Sequence, residues 1–191
     1  MAKLYFRYGT VGSAKTLNLL AVAHNYEQQG KQAFLIKPAI DTRFGRDNIR
    51  SRAGLEKKTH LLVEHDSELQ DSLFAGVDCI LVDEAQFLSE SLIQQLRKIT
   101  IDLNIPVICY GLRTDFRSRL FDGSRRLLEL ADSIEEIKTT CAFCTKKAVF
   151  NLKITEDGPS LDGPTIDLGA EEKYLPACYR CYQAKIVARP T

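Results

Sequence analysis

The sequence predicts an α/β fold in which a parallel sheet has helices on both faces, with a small cysteine-bearing domain after it. Near-continuous apolar runs such as Val77–Val82 and Pro106–Tyr110 are typical of strands buried on both faces. Segments with helical spacing separate these runs, and such alternation indicates parallel strand pairing. After about Thr139 the alternation stops and four cysteines follow, which indicates a second, smaller domain.

The first part of the chain begins this alternation. Leu4–Tyr8 predicts a buried strand that leads into a glycine-rich turn, and Thr16–Gln29 has apolar residues at helical spacing. Ala33–Ile36 predicts a second strand. The polar, arginine-rich and aperiodic segment Asp41–Lys58 predicts a long mobile loop, a type of segment that is usually functional or disordered in compact domains.

The pattern continues to the middle of the chain. Leu61–Val63 predicts a third strand and Ser67–Phe74 a short helix. Val77–Val82 is the clearest buried strand. Ser89–Leu103 predicts an amphipathic helix, for which Ser89 is a suitable N-cap because its hydroxyl can accept a hydrogen bond from a free backbone N–H.

The last quarter has a different character. We place a domain boundary near Lys138–Thr140, which gives an α/β domain over residues 1–139 and a small domain over residues 140–191. Val149–Ile154 has a strand pattern, and Asp157–Gly169 is rich in glycine, proline and aspartate. Helical spacing returns only in a short segment near the C-terminus.

Composition excludes some classes of function. The 26 lysines and arginines nearly cancel 25 aspartates and glutamates, for a formal net charge of +1. Duplex-binding proteins usually have a basic excess, so we expect no nucleic-acid partner. No apolar run approaches the roughly 20 residues needed to span a bilayer, and the N-terminus lacks a signal-peptide pattern. We therefore expect no membrane partner and a cytoplasmic location, where cysteines are thiols or metal ligands.

A phosphate-binding loop is predicted where the first strand meets the first helix. The residues that we assign to nucleotide binding there are Gly9, Thr10, Val11, Gly12, Ser13, Ala14, Lys15 and Thr16. In a P-loop, backbone N–H groups surround the phosphates, the lysine contacts the β- and γ-phosphates, and the hydroxyl coordinates Mg²⁺. Ala14 departs from the pattern, which has glycine before the lysine, and its Cβ is costly if φ is positive.

Two carboxylates follow the buried strand Val77–Val82. Asp83 is in the position of a Walker B aspartate, which holds Mg²⁺, and Glu84 is placed to take a proton or to orient a water. We assign Gln86 to the nucleotide site as well. With the P-loop, the pair predicts a P-loop NTPase (RecA-like) sheet with an ATP·Mg²⁺ site at the carboxyl ends of its strands.

The cysteines form two CxxC pairs. Cys141 and Cys144 form one pair, and Cys178 and Cys181 form the other. Four thiolates in a closed tetrahedral set specify a structural Zn²⁺. A redox-active CxxC is the alternative, but two pairs that flank one glycine-rich segment favour zinc.

The order and spacing of these motifs resemble the type II thymidine kinases along nearly the whole chain. The matching blocks are the P-loop, Asp41-Thr42-Arg43, Asp83–Phe87, Tyr110–Arg117, the two CxxC pairs and Gly169–Tyr174. The DEAQ tetrapeptide also resembles the acidic box of nucleic-acid helicases. Two other readings therefore stay open, namely a nucleic-acid-stimulated ATPase module and a non-catalytic zinc-bearing nucleotide sensor.

The resemblance implies a role for each matching residue. Glu84 is expected to be the general base for the thymidine 5′-hydroxyl, Asp83 and Thr16 to serve the metal, and Arg43 to lie near the transferred phosphate. The residues implied in nucleoside binding are Phe87, Leu112 and Phe116 around the thymine ring, Tyr174 near the sugar, and the main chain around Leu168 and Gly169 at the base edge. In this family the segment between the CxxC pairs forms a "lasso" that closes over the nucleoside.

The resemblance also implies the reaction and its partners. The expected activity is ATP-dependent phosphorylation of thymidine, and of deoxyuridine, giving dTMP and ADP in nucleotide salvage. ATP, Mg²⁺ and a structural Zn²⁺ are the implied cofactors. A homotetramer and feedback inhibition by dTTP are implied as well.

Overall fold

The computed structural model describes residues 1–43, 45–165 and 173–187. In chain order, the helices and strands are β1 (Leu4–Tyr8), α1 (Lys15–Gln28), β2 (Ala33–Pro38), β3 (Asn48–Arg50), β4 (Glu56–Lys58), β5 (Leu61–Val63), β6 (Cys79–Val82), α2 (Glu90–Asp102), β7 (Val107–Gly111), α3 (Asp122–Leu130), β8 (Ser133–Glu136), β9 (Phe150–Thr155), β10 (Gly158–Ser160), β11 (Tyr174–Ala177) and α4 (Tyr179–Val187). Two 3₁₀ turns, Asp71–Phe74 and Ala85–Phe87, complete the regular structure.

The main sheet has six strands in the order β5-β2-β6-β7-β1-β8. Every neighbouring pair in it is parallel, which confirms the predicted parallel sheet. Because all strands point the same way, the loops that follow β1, β2, β6 and β7 meet at one edge. The P-loop and the acidic pair therefore lie side by side.

Helices pack on both faces of this sheet, as predicted. On one face, Leu19, Leu20 and Ala23 of α1 pack against strand residues that include Leu81 and Tyr110. On the other face, a larger buried cluster joins α2 and α3 to the sheet. Strands β2, β6 and β7 are buried throughout, which explains why their sequences are almost continuously apolar.

The predicted boundaries of the long elements are close to those observed. Helix α1 ends one residue before the predicted end, and the Ser89 hydroxyl caps α2 by accepting a hydrogen bond from the backbone N–H of Leu92 at 3.3 Å. Only one side of α2 is buried, so its apolar residues recur at helical spacing, and this spacing is visible in the sequence.

The structure corrects three predictions made from the sequence. The predicted loop Asp41–Lys58 contains the antiparallel hairpin β3–β4, and Ile49 in it is almost fully buried against α1. Only the second half of the predicted helix Ser67–Phe74 is helical, as a 3₁₀ turn. Helix α3 and strand β8 were not predicted, since α3 is short and β8 is an edge strand with mostly exposed side chains.

The part after β8 forms a separate antiparallel sheet in the order β10-β9-β11, with α4 beside it. We call this part the cysteine lobe, meaning the described residues from Thr140 to Val187. Its buried cluster contains Cys141, Leu152, Ala177, Cys178 and Tyr182. No helix in the described part of the chain has the length and apolar character needed to cross a membrane.

Candidate active site

The P-loop connects β1 to α1 as predicted and turns tightly around the start of the helix. Lys15 is the first residue of α1, and its ammonium group donates to the Thr10 carbonyl at 2.7 Å. Burial lowers the pKa of Lys15 to about 8, against the opposing influence of the Glu84 and Asp83 carboxylates. The Lys15 ammonium group is buried and bonded to a neutral carbonyl of its own loop. An anion in the cavity would attract it more strongly than this carbonyl does.

The loop depends on an unusual backbone at two positions. Gly12 has φ 72°, and Ala14 has φ 62°, so both lie in the left-handed region. An L-residue in this region costs about 1–2 kcal/mol, because its Cβ approaches the following carbonyl oxygen. The expected consequence of alanine before the lysine is therefore a strained residue at the centre of the loop.

The first carboxylate of the acidic pair faces the P-loop across the sheet edge. The Thr16 hydroxyl donates to Asp83 Oδ2 at 3.1 Å. Burial, together with the neighbouring Glu84 carboxylate, raises the pKa of Asp83 to about 7. A hydroxyl beside a buried carboxylate is a set of hard oxygen ligands that suits Mg²⁺, and a cation there would remove the cost of burying the charge.

Glu84 is held in position through both carboxylate oxygens. Arg43 Nη2 pairs with Oε1 at 2.7 Å, and Gln86 Nε2 donates to Oε2 at 2.6 Å. The side-chain amide oxygen of Gln86, Oε1, in turn accepts from the backbone N–H of Leu112 at 3.0 Å. Glu84 itself has φ 49°, a left-handed conformation that directs its side chain into the site at some cost in strain.

Arg43 belongs to a buried ion-pair network. Its guanidinium contacts both oxygens of Asp41, at 2.6 and 3.2 Å, in addition to Glu84. Lys37, which is 1% exposed, contacts Asp41 at 3.5 Å. Burial opposes the charged form of Arg43, but the two carboxylates outweigh it and raise its pKa. Arg43 therefore stays charged and is fixed beside Glu84.

One cavity of about 280 Å³ connects the phosphate loop to an aromatic wall. Its lining includes residues of four regions: the P-loop from Val11 to Leu17, the turn Arg50–Ala53 of the β3–β4 hairpin, the polar residues Asp41, Arg43, Asp83 and Glu84, and the apolar residues Phe87, Leu112, Phe116, Phe121 and Tyr174. The cavity lining therefore combines charged groups with apolar and aromatic side chains, which suits a ligand set of a polyphosphate and a planar ring.

Most of the residues predicted for the site lie on this cavity, and a few do not. Gly9, Thr10 and Gln86 are not among the described lining residues; Gly9 lies under the loop, where a Cβ would come within 2.3 Å of Ser13 Oγ. The Thr10 hydroxyl is buried and has no hydrogen-bond partner within the described residues. Leu168 and Gly169 lie outside the described residues.

Asn151 lies at the site but was not predicted from the sequence. It lies on β9 of the cysteine lobe, is 4% exposed and lines the cavity. Its Oδ1 accepts from the backbone N–H of Val11 at 2.9 Å, and its Nδ2 donates to the Thr114 carbonyl at 3.0 Å. One amide thus joins the cysteine lobe to the P-loop and to the loop after β7.

The four cysteines are brought together as predicted. The sulfur atoms of Cys141, Cys144, Cys178 and Cys181 lie within 4.8 Å of one another. The distances from Cys144 Sγ to Cys178 Sγ and to Cys181 Sγ are both 3.7 Å. Sulfurs that are about 2.3 Å from one tetrahedral zinc are about 3.8 Å apart, so the donor set fits a structural zinc.

Comparison with known proteins gives a consistent result. A model of the thymidine kinase family matches residues 2–182. The thymidine kinase of Lactococcus lactis subsp. lactis is 42% identical over 184 residues, which cover 95% of this chain and 97% of that protein. The thymidine kinase of Streptococcus gordonii is 43% identical over 185 residues, which cover 95% and 96%.

A solved structure, the Pif1 helicase from Candida albicans, superposes with a TM-score of 0.43 and 12% sequence identity, over 71% of this chain and 36% of the helicase chain. A superposition at this level carries no functional argument.

Proposed function

The chain belongs to the thymidine kinase family, and we propose that it transfers the γ-phosphoryl group of ATP to the 5′-hydroxyl of thymidine, and of deoxyuridine, giving dTMP and ADP. The observation that supports this most directly is the lining of the cavity. Its P-loop residues suit a triphosphate, its aromatic residues suit a pyrimidine ring, and Glu84 belongs to the same lining. Phosphoryl transfer depends mainly on such positioning and on charge neutralisation.

Glu84 is the general base in this proposal. Arg43 and Gln86 each contact one of its oxygens, and because a carboxylate oxygen has two acceptor positions, either oxygen can also accept a hydrogen bond from the nucleoside hydroxyl. Arg43, which is rigidly held by Asp41, stabilises the negative charge that develops on the transferred group. Gln86 contributes indirectly, by fixing the rotamer of Glu84.

The nucleotide side uses the P-loop and Asp83. Membership in a kinase family implies ATP and a divalent cation, and we assign Mg²⁺ to Thr16 and Asp83 because of their paired hard oxygens. A Mg²⁺ ion held by these two residues would supply charge neutralisation for the phosphates of ATP. Lys15 exchanges the Thr10 carbonyl for a phosphate oxygen when ATP enters, and the loop N–H groups from Gly12 onward surround the phosphates.

The remaining assignments concern the aromatic wall and the cysteines. In this proposal Phe87, Leu112 and Phe116 surround the base and Tyr174 lies near the sugar, as the family resemblance implies; all four line the cavity, which supports these assignments. Zinc held by the four cysteines has no open coordination position, so its role is structural.

A phosphate-transfer assay tests the proposal. Radiolabelled ATP is incubated with thymidine, deoxyuridine, deoxycytidine or deoxyguanosine, and labelled monophosphates are separated. We expect transfer to thymidine and deoxyuridine alone. Equal transfer to deoxycytidine or deoxyguanosine contradicts the specificity. ATP hydrolysis that is stimulated by DNA or RNA without transfer indicates a nucleic-acid ATPase, and tight ATP binding without any turnover indicates a nucleotide sensor.

The variant Glu84→Gln tests the general base. Because the amide cannot accept the proton, we expect kcat to fall by about 10²–10⁴-fold. ATP binding, measured by calorimetry, stays within about twofold, since the P-loop is untouched. The matched control is Glu129→Gln on the exposed side of α3, which leaves both quantities unchanged. A fully active Glu84→Gln enzyme means that the base lies elsewhere.

Two further proposals are supported by the family resemblance. dTTP is a feedback inhibitor, because its thymidine part suits the aromatic residues of the cavity and its triphosphate suits the P-loop. Competition of dTTP with both ATP and thymidine checks this. The protein assembles as a homotetramer, which light scattering of the purified chain measures.

A further inference from the structure

Two cations of the described chain hold one short segment beside the cavity. Arg117 Nε donates to a main-chain carbonyl of this segment at 2.9 Å and Arg117 Nη1 to its hydroxyl at 3.1 Å, and Lys153 Nζ donates to a further carbonyl at 3.2 Å. With the bond from Arg117 Nη2, the acceptors are the carbonyl oxygens of Leu161, Asp162 and Gly163 and the Thr165 hydroxyl. We call residues 161–165 the tethered segment.

The same two cations also contact one aromatic ring. The Arg117 guanidinium carbon lies 4.6 Å from the centroid of the Phe116 ring, and Lys153 Nζ lies 4.9 Å from it. Phe116 and Lys153 are 1% and 5% exposed, and cation–π attraction is strongest in such desolvated surroundings. The position of the ring and the position of the tethered segment are therefore fixed by the same charges.

Gly163 shows how closely the tethered segment approaches Lys153. A Cβ built on Gly163 would lie 2.8 Å from Lys153 Nζ, and the residue has φ 100°, which L side chains rarely adopt. The backbone at this point passes against the ammonium group, which would have to move to admit a side chain. Such close approach is consistent with a specific contact between two parts of the lobe.

Neither cation lines the cavity in the part of the chain that is described, whereas Phe116 and Thr165 both do. Tyr174 completes this part of the wall, with its ring centroid 6.1 Å from that of Phe116. Phe116 and Tyr174 belong to the apolar part of the cavity lining. Changes in Arg117 or Lys153 are therefore expected to reach a ligand through the wall that they support.

We propose that Arg117 and Lys153 are positioning residues for the nucleoside: they fix Phe116 and the tethered segment as one wall of the nucleoside pocket. This inference rests on the proposed thymidine kinase function. It implies that thymidine affinity depends on the two cations while ATP affinity does not, because the wall that they hold consists of Phe116 and the tethered segment and not of P-loop residues.

Steady-state kinetics of Arg117→Met tests this. We expect the KM for thymidine to rise about tenfold, the KM for ATP to stay within about twofold, and kcat to change little. Arg117→Lys keeps a charge over the ring but loses the planar fork that reaches three acceptors, so its KM for thymidine is intermediate. The matched control is Arg125→Met on α3, where the arginine is paired on the surface with Glu90 and Asp122.

Lys153→Met is expected to act in the same direction, with Lys98→Met on the exposed side of α2 as its control. An unchanged KM for thymidine in both folded, zinc-loaded variants overturns the proposal. Equal increases in both KM values overturn it too, because they indicate a general structural defect. If Arg117→Met does not fold, Arg117→Lys and Lys153→Met are used, and each must raise the thymidine KM by at least about threefold.

A second readout separates this inference from the proposed function. Hydrogen exchange of the tethered segment is measured without ligands in the full-length protein. We expect faster exchange in Arg117→Met than in the wild type, with no change in α1. If the wild type does not phosphorylate thymidine but this difference is present, the proposed function fails and the tethering stands. Unchanged exchange overturns the tethering itself.

Discussion

The α/β domain and the cysteine lobe are stabilised in different ways. Within the described residues, 19 buried hydrophobic residues cover one face of the main sheet and 10 cover the other. The buried cluster of the lobe has five, and two of them are the metal-ligand candidates Cys141 and Cys178. Because apolar burial is the main source of stability, the sheet can stabilise itself, whereas a lobe this small needs a cross-link.

The two regions also contribute differently to the site. The sheet presents the P-loop, Asp83 and Glu84 at one edge, where parallel strands end. The lobe adds Asn151, Thr165 and Tyr174 to the same cavity. The phosphate chemistry therefore rests mainly on the stable region, whereas the rest of the cavity also uses side chains of a region whose order we expect to depend on the four thiols.

Removal of the metal is expected to give the largest difference between the cysteine lobe and the main sheet. Structural zinc contributes on the order of 10 kcal/mol to small domains. We expect Cys144→Ser, or chelation, to abolish thymidine phosphorylation and to speed hydrogen exchange in β9 and α4, while exchange in β6 and β7 stays slow. Loss of protection in both regions at once contradicts the comparison.

Cys109→Ala is the matched control for the metal experiment, since Cys109 is a buried thiol in β7 outside the four-cysteine group. It should keep its metal content, measured by atomic absorption, and lose no more than about 1–2 kcal/mol of stability. After chelation of the wild-type protein, addition of zinc should restore its thymidine phosphorylation.

Removing the link between the two regions has a smaller effect. Asn151→Leu leaves the Val11 N–H and the Thr114 carbonyl without their partner, and each buried unpaired group costs about 1–3 kcal/mol. We expect the free energy of unfolding, from denaturant melts, to fall by about 2–4 kcal/mol and the KM for ATP to rise.

The control is Asn25→Leu on the exposed side of α1. An Asn151→Leu enzyme with unchanged stability and unchanged KM for ATP means that the P-loop does not depend on the lobe.

The smallest expected effect concerns the P-loop alone. Because Ala14 has φ 62°, Ala14→Gly relieves strain and should stabilise the protein by about 0.5–1 kcal/mol and lower the KM for ATP a few-fold. Gly12→Ala, at φ 72°, is the matched change in the opposite direction and should cost a similar amount. Thermal melts with and without ATP measure both. No gain from Ala14→Gly means that this loop tolerates the Cβ.

Local patterns were sufficient for the main sheet and not for the segments around it. Strands β6 and β7 are apolar runs because both of their faces are buried, and α2 shows one apolar stripe. The β3–β4 hairpin gave no such signal, since of its strand residues only Ile49 is deeply buried. Its stability comes from tertiary contacts, in particular from Lys37 Nζ, which donates to the carbonyls of Gly45 and Asn48.

Local sequence patterns were enough to identify the reactive and metal-binding groups of this protein, namely a P-loop lysine and hydroxyl, an acidic pair at the end of a strand, and two CxxC pairs. These follow from local spacing, because neighbours in the chain stay neighbours in the fold. Tertiary structure alone decided how those groups are held. The amide of Asn151 meets Val11 across 140 positions, and Arg117 meets Leu161 across 44. Contacts at such separations depend on how strands and loops are arranged in space, and no local periodicity encodes them.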